Sequence, residues 1–308
     1  MARRSSKARS DGYVDIRPPK GVETYSVAYF DTETTGVDPA TAELIELAVI
    51  RVFFDSEGYE VGRFASVRRY QPHNPIPPEA SAVHDIIDDD VADRPYFGPE
   101  YENDVDDFRL IHNLFDSDLI VAHNLPYDVA ILSRYYPEHM KKFEPEGMHV
   151  DTLRLAKHFY PGIESHAMKA MRYRFGFDKM AGRRLESHSA LDDTKMLEYF
   201  MTMVSGTFPL MGPFTKAWWE AMAKQSDQPV MVQIFPFGKH RGELIDNLVQ
   251  DDPQYIAWCM KQDWLKTEHP DLYHTLLAYS HRKPVELFSH VRLRQEAGVA
   301  HGEEIPGG

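Results

Sequence analysis

The chain has 308 residues, 43% hydrophobic and 27% charged, which is length for about two domains and apolar content for a buried core. Its formal net charge of −14 gives no bulk support to a polyanionic partner, so local sites must decide what it binds. The single cysteine, Cys259, excludes an internal disulfide and a cysteine-built zinc site, and fits a reducing, cytoplasmic compartment.

Residues 1–23 are polar and basic (Arg3, Arg4, Lys7, Arg9), include Pro18 and Pro19, and lack periodicity, which predicts a disordered arm. Asp11, Asp15 and Arg17 stand where an export signal would be apolar. No run approaches the roughly 18 apolar residues of a membrane helix; 44–54 is broken by Glu46 and Arg51. Residues 26–30, 44–53 and 62–70 are β-branched and aromatic runs split by turn residues, and predict three consecutive antiparallel strands. Helices are expected at 79–87 and 105–115, a short apolar strand at 119–122, and a helix at 127–136. A strand at 148–151 then runs into a helix at 152–160, stopped by Pro161-Gly162, with further helices at 166–175 and 190–204.

Strands interleaved with helices predict an α/β domain over 24–205, a mixed sheet flanked by helices. Pro209, Gly212 and Pro213 mark 206–229 as a linker holding a short Trp-containing helix. A small C-terminal module follows at 230–290 and a tail at 291–308. From 85 to 107 there are ten carboxylates against one Arg94, so most of the charge imbalance sits in one segment, expected to be a solvated loop and helix face.

Three motifs carry chemistry. Phe30-Asp31-Thr32-Glu33-Thr34-Thr35-Gly36 follows an apolar strand, and the two-residue period puts Asp31 and Glu33 on one face. Converging carboxylates repel unless a cation sits between them, and hard oxygen donors suit Mg²⁺ or Mn²⁺. A polar turn after a strand is the plainer reading of the same residues. In Val121-Ala122-His123-Asn124-Leu125-Pro126-Tyr127-Asp128, the acid opens a helix, where it would also favour the helix dipole. His188-Ser189-Ala190-Leu191-Asp192-Asp193 places a histidine before a helix and acids in its first turn.

Taken in order, Asp-x-Glu, His-Asn-x-x-x-Asp and His-x-Ala-x-x-Asp resemble the DEDD exonucleases of the histidine-containing branch, over roughly residues 25–204. The resemblance implies a ribonuclease H-like fold and 3′→5′ removal of nucleotides with two divalent metals, Mg²⁺ or Mn²⁺. It carries the metal ligands to Asp31, Glu33, Asp128 and Asp193 and the general base to His188. Helical periodicity does not separate the two aspartates: Asp193 aligns with Leu197, Phe200 and Val204, Asp192 with Met196 and Tyr199. Only the spacing of the family motif favours Asp193. Glu79-Ala80-Ser81-Ala82-Val83-His84 resembles the family segment that contacts the terminal nucleotide, which makes Thr34 and His84 nucleotide-binding candidates. Against this, Thr34 can simply shape its turn and His84 can pack on its helix.

In the C-terminal module, Phe235-Pro236-Phe237-Gly238-Lys239-His240-Arg241-Gly242 reads as a tight turn with a basic tip. Asp252 can cap a helix with Pro253 at its first position. Together with Tyr255 and Trp258, these residues resemble the C-terminal region of the exodeoxyribonuclease X family. Lys239, His240 and Arg241 either track the phosphates of a strand beside stacking aromatics, or form the solvated crown of a hairpin with Trp258 in the core. The expected activity is 3′→5′ hydrolysis of DNA, with single-stranded 3′ ends the expected form. The alternatives are an RNA exonuclease on the same fold and a non-catalytic adaptor, the latter disfavoured by the intact acid set with His188.

Overall fold

The computed structural model describes residues 13–101, 105–145, 147–185, 189–207 and 214–281. In chain order the elements begin β1 (Val14–Ile16), β2 (Tyr25–Thr34), β3 (Leu44–Phe54), β4 (Glu60–Arg69), α1 (Pro78–His84), α2 (Asp88–Val91) and α3 (Val105–Phe115). They continue β5 (Leu119–Ala122), α4 (Leu125–Tyr135), α5 (Pro137–Met140), β6 (His149–Asp151), α6 (Thr152–Phe159), α7 (Met168–Phe175), α8 (Phe177–Ala181), α9 (Ala190–Thr207) and α10 (Lys216–Asp227). Four helices close the described chain: α11 (Ile245–Asp251), α12 (Pro253–Cys259), α13 (Asp263–Glu268) and α14 (Pro270–His281).

The chain divides into two compact units, 1–155 with 165–227, and 156–164 with 228–308. The division falls inside α6, so each unit is discontinuous in sequence.

The first unit is built on a six-stranded mixed sheet of order β1-β4-β3-β2-β5-β6. β2, β3 and β4 pair antiparallel, while β5 and β6 extend the sheet from β2 in parallel. Leu119–Ala122 is buried at all four positions, the pattern of a parallel strand covered on both faces. Alternation along β2 sorts its two faces. Ala28 and Phe30 join a core with Leu110 and Leu114 of α3 and Ile131 and Leu132 of α4. Tyr29 turns the other way and meets Trp219 of α10 edge-on, with ring centroids 6.0 Å apart. Asp31 and Glu33 share the parity of Tyr29 and so leave the strand on that side.

Three expectations need correction. Val14–Ile16, placed within a disordered arm, pairs with β4 as an edge strand whose Tyr13 packs edge-on against Phe64; residues 1–12 lie outside the described chain. The short Trp-containing helix expected in the linker is α10, but it belongs to the first unit, its Trp218 and Trp219 1% and 0% exposed and Trp219 packed against Tyr29 and Phe54. The two adjacent indoles bury apolar surface that flanking prolines and glycines cannot outweigh. Asp107 of the acidic segment is only 4% exposed, because Arg68 Nε reaches it at 2.6 Å and Tyr70 donates to it at 3.1 Å.

The second unit packs α11 to α14 around Phe235, Leu248, Ile256, Cys259, Leu265 and Leu276. Ile234 and Leu244 bridge antiparallel, closing a hairpin over Gly238. Gly238 has φ +62°, and a Cβ there would meet the Tyr255 hydroxyl at 2.9 Å, so glycine is required. The tail at 291–308 lies outside the described residues, among which no helix is long and apolar enough to cross a membrane.

Candidate active site

β2 and α9 bring three carboxylates together. Asp31 and Glu33 leave the end of β2, Asp193 comes from the first turn of α9, and one oxygen of each lies within 4.8 Å of the others. Burial, reinforced by the charges of Asp193, Glu33, Asp128 and Glu46, pushes the Asp31 carboxyl well above the usual carboxylate range. Burial with Asp193, Glu46 and Asp128 pushes Glu33 up to about 8. Three hard oxygen donors, with the charged forms of Asp31 and Glu33 disfavoured unless positive charge enters between them, form a donor set for a divalent cation.

Asp128 sits beside this trio rather than in it. It lies in the first turn of α4, 5% exposed, and the Thr32 hydroxyl donates to its Oδ1 at 2.6 Å. Thr32 faces the α3–α4 side of the sheet by strand alternation, which is why the residue between Asp31 and Glu33 meets an acid from the opposite layer. Burial pushes Asp128 up to about 7, with Asp151 adding to the rise and hydrogen bonds from Thr32 and the backbone opposing it. The start of α4 is fixed by Asn124, at φ +63°, whose amide donates to Asp151 Oδ1 at 3.0 Å. The same oxygen accepts the Leu153 amide at 2.9 Å.

The two aspartates of α9 have different surroundings. Asp192 is gripped by both terminal nitrogens of Arg183, one of them at 2.8 Å, and Lys195 lies 3.5 Å away. Asp193 is the one that joins Asp31 and Glu33, with its amide bonded to the Ser189 carbonyl at 2.9 Å. His188 lies outside the described residues. The Thr34 hydroxyl donates to the Gly36 carbonyl at 2.9 Å and bonds to Tyr127 as well. His84 is 4% exposed and its Nδ1 accepts the Ile86 amide at 3.1 Å.

In the second unit, Lys239 Nζ reaches Asp252 at 2.8 Å and lies 4.8 Å over the Tyr255 ring. His240 Nε2 meets the same Asp252 oxygen at 3.2 Å. Asp252 also caps α12 by accepting the Tyr255 amide at 3.0 Å, and together these contacts hold its carboxyl down at about 2. Arg241 is exposed, and Trp258, one candidate for the core, is 52% exposed.

Two residues escaped the reading of the sequence. Glu46, 5% exposed in β3, accepts Arg69 Nε at 2.7 Å and the Ala190 amide at 3.1 Å. Its signal was an acid in the middle of the apolar run Leu44-Ile45-Glu46-Leu47-Ala48. Asp151, which anchors Asn124, was marked only by its place between a strand and a helix.

Residues 28–200 match the family model described as Exonuclease. The chain belongs to the exonuclease family. Residues 235–263 of this exonuclease match a second model, the exodeoxyribonuclease X-like C-terminal region. Exodeoxyribonuclease 10 of Escherichia coli strain K12 is 28% identical over 250 residues, covering 81% of this chain and 96% of the relative. The DNA polymerase III subunit epsilon of Treponema pallidum is 30% identical over 179 residues, covering 57% and 75%. A solved structure of exonuclease X in complex with 5′-overhanging duplex DNA aligns at 24% identity and TM-score 0.45, covering 64% of this chain and 99% of that one. Family membership makes the chain a nuclease and implies a divalent metal, which the Asp31–Glu33–Asp193 trio fits.

Proposed function

We propose that this exonuclease hydrolyses DNA from 3′ ends, with Asp31, Glu33, Asp128 and Asp193 holding two divalent cations, Mg²⁺ or Mn²⁺, and His188 acting as general base. The observation that carries the reading is the meeting of Asp31 and Glu33 of β2 with Asp193 of α9 within 4.8 Å. Its DNA specificity is supported by the relative exodeoxyribonuclease 10, of which this chain covers 96%.

Two bound cations would acidify the attacking water and offset charge on the attacking and leaving oxygens of an in-line displacement. The chain's own groups do the rest. His188 would take the proton of the attacking water as general base. Asp31 would serve both cation positions, and Glu33 and Asp193 would serve the nucleophile side. Asp128, oriented by Thr32, would hold the cation on the leaving-group side. The backbone of residues 34–36 approaches the terminal 3′ sugar. The Thr34 hydroxyl, bonded to Gly36, keeps that turn in shape, and His84 supports the neighbouring segment from its buried position. Of the basic tip, Arg241 meets phosphate, while Lys239 and His240 brace the turn through Asp252. The one thiol, at Cys259, suits a cytoplasmic enzyme.

The test is cleavage of end-labelled DNA and RNA of matched sequence, single- and double-stranded, with Mg²⁺ and separately with Mn²⁺. A ladder shortening from the 3′ end of DNA is expected, fastest on single strands. Cleavage of RNA alone, or products released from the 5′ end, would overturn the proposal.

A further inference from the structure

Glu46 is an expensive residue for its place. It lies between Ile45 and Leu47, each 0% exposed, in the middle of the sheet, and is itself 5% exposed. A buried carboxylate is tolerated only where its oxygens are hydrogen-bonded. Both are: Oε2 accepts Arg69 Nε at 2.7 Å and Oε1 accepts the Ala190 amide at 3.1 Å.

These two partners give the residue its meaning. Ala190 is the first residue of α9, so its amide is one of those a helix cannot satisfy from within. Asp193 follows three residues later, in the same turn. On the sheet, Glu46 stands opposite Glu33 across the β2–β3 pairing and opposite Arg69 across the β3–β4 pairing. One side chain thus joins the strand neighbour of Glu33 to the turn that carries Asp193. Glu46 is absent from the group of ligand-spaced oxygens.

We propose that Glu46 is a positioning residue, which ties the first turn of α9 to the sheet so that Asp193 meets Asp31 and Glu33 at cation-binding spacing. The proposal rests on reading those three carboxylates as cation ligands. Residues that orient metal ligands from behind commonly cost about 10–100-fold in metal affinity when altered.

A tether and a mere negative charge predict opposite results for two conservative variants. Glu46→Asp keeps the charge but is one methylene short of Ala190. Glu46→Gln loses the charge but keeps the reach and one carbonyl acceptor. That carbonyl goes to the Ala190 amide, since Ala190 is fully buried whereas the Arg69 side chain is 38% exposed and can turn to water. The full chain, stripped of metal, is titrated with Mn²⁺ by calorimetry, its melting followed by circular dichroism, and cleavage measured at saturating Mn²⁺.

Glu46→Asp should bind Mn²⁺ about 10–100-fold more weakly, with Glu46→Gln close to wild type and both variants folded. Equal losses, a larger loss in Glu46→Gln, or wild-type affinity in Glu46→Asp would overturn the tether. If wild type takes up no Mn²⁺, or Asp31→Ala takes up as much as wild type, the cation site itself fails, and the role of Glu46 with it.

Discussion

Replacing Glu33 with glutamine should stabilise the metal-free protein, and by more as pH rises. In the folded chain this carboxyl is pushed from its ordinary 4.5 up to about 8. The folded state therefore binds the proton more tightly than the unfolded chain, and stability falls as pH rises between those two values. At about 1.4 kcal/mol per pH unit, the whole window corresponds to about 5 kcal/mol. Glu33 is also among the charges that lift Asp31, so the variant relieves its neighbour as well. Urea unfolding in EDTA, at intervals from pH 5 to pH 8, measures the effect. Variant and wild type should differ little at pH 5, and the gap should widen by several kcal/mol toward pH 8. Saturating Mn²⁺ should then shift the balance back, because it stabilises the folded state that binds it best and the variant has lost a ligand. A gap that stays constant across the pH range would refute the account of Glu33 as a carboxyl raised by burial and its acidic neighbours.

Asp31→Ala should abolish cleavage while leaving the far-ultraviolet circular dichroism unchanged; wild-type rates in the purified variant would remove Asp31 from the site. His188→Ala should slow turnover by about 10²–10⁴-fold with Mn²⁺ affinity unchanged, and a loss of Mn²⁺ binding without a separate rate defect would make His188 a ligand. Arg241→Ala should flatten the slope of log affinity against log salt on single-stranded DNA by about 0.7. Lys239→Ala should change that slope less, because its ammonium is held by Asp252; the reverse order would mean that the lysine releases Asp252 to meet phosphate.

The antiparallel part of the sheet was legible because β2, β3 and β4 are long and strongly patterned: the run that became β3 is buried at nearly every position, and its β-branched residues suit a strand. Asp31 and Glu33 could be paired on one face from the two-residue period alone. Asp193 could not be told from Asp192, since both fall in one helical turn, and the partner that distinguishes them, Arg183, is close only in the folded chain. The same holds for Glu46, whose contacts with Arg69 and Ala190 are 23 and 144 residues distant along the chain. The edge strand β1 is three residues long, too short for a period to show. The short Trp-containing helix was legible as α10, but Pro209, Gly212 and Pro213 made it read as part of a linker, although Trp218-Trp219 was the mark of a buried face.

The division that falls within α6 has a consequence for synthesis on the ribosome. Residues 156–164 emerge early, yet the rest of their unit begins at 228, so they wait for more than sixty residues to be made before their companions exist. The first unit waits as well, since α9 and α10 follow that segment. A chain is made from its N-terminus, and a unit closes only when its last element has left the exit tunnel. Until α9 is made, the chain carries Asp31 and Glu33 on β2 without Asp193. The acid trio is therefore incomplete on the ribosome until the helix that carries Asp193 has been made.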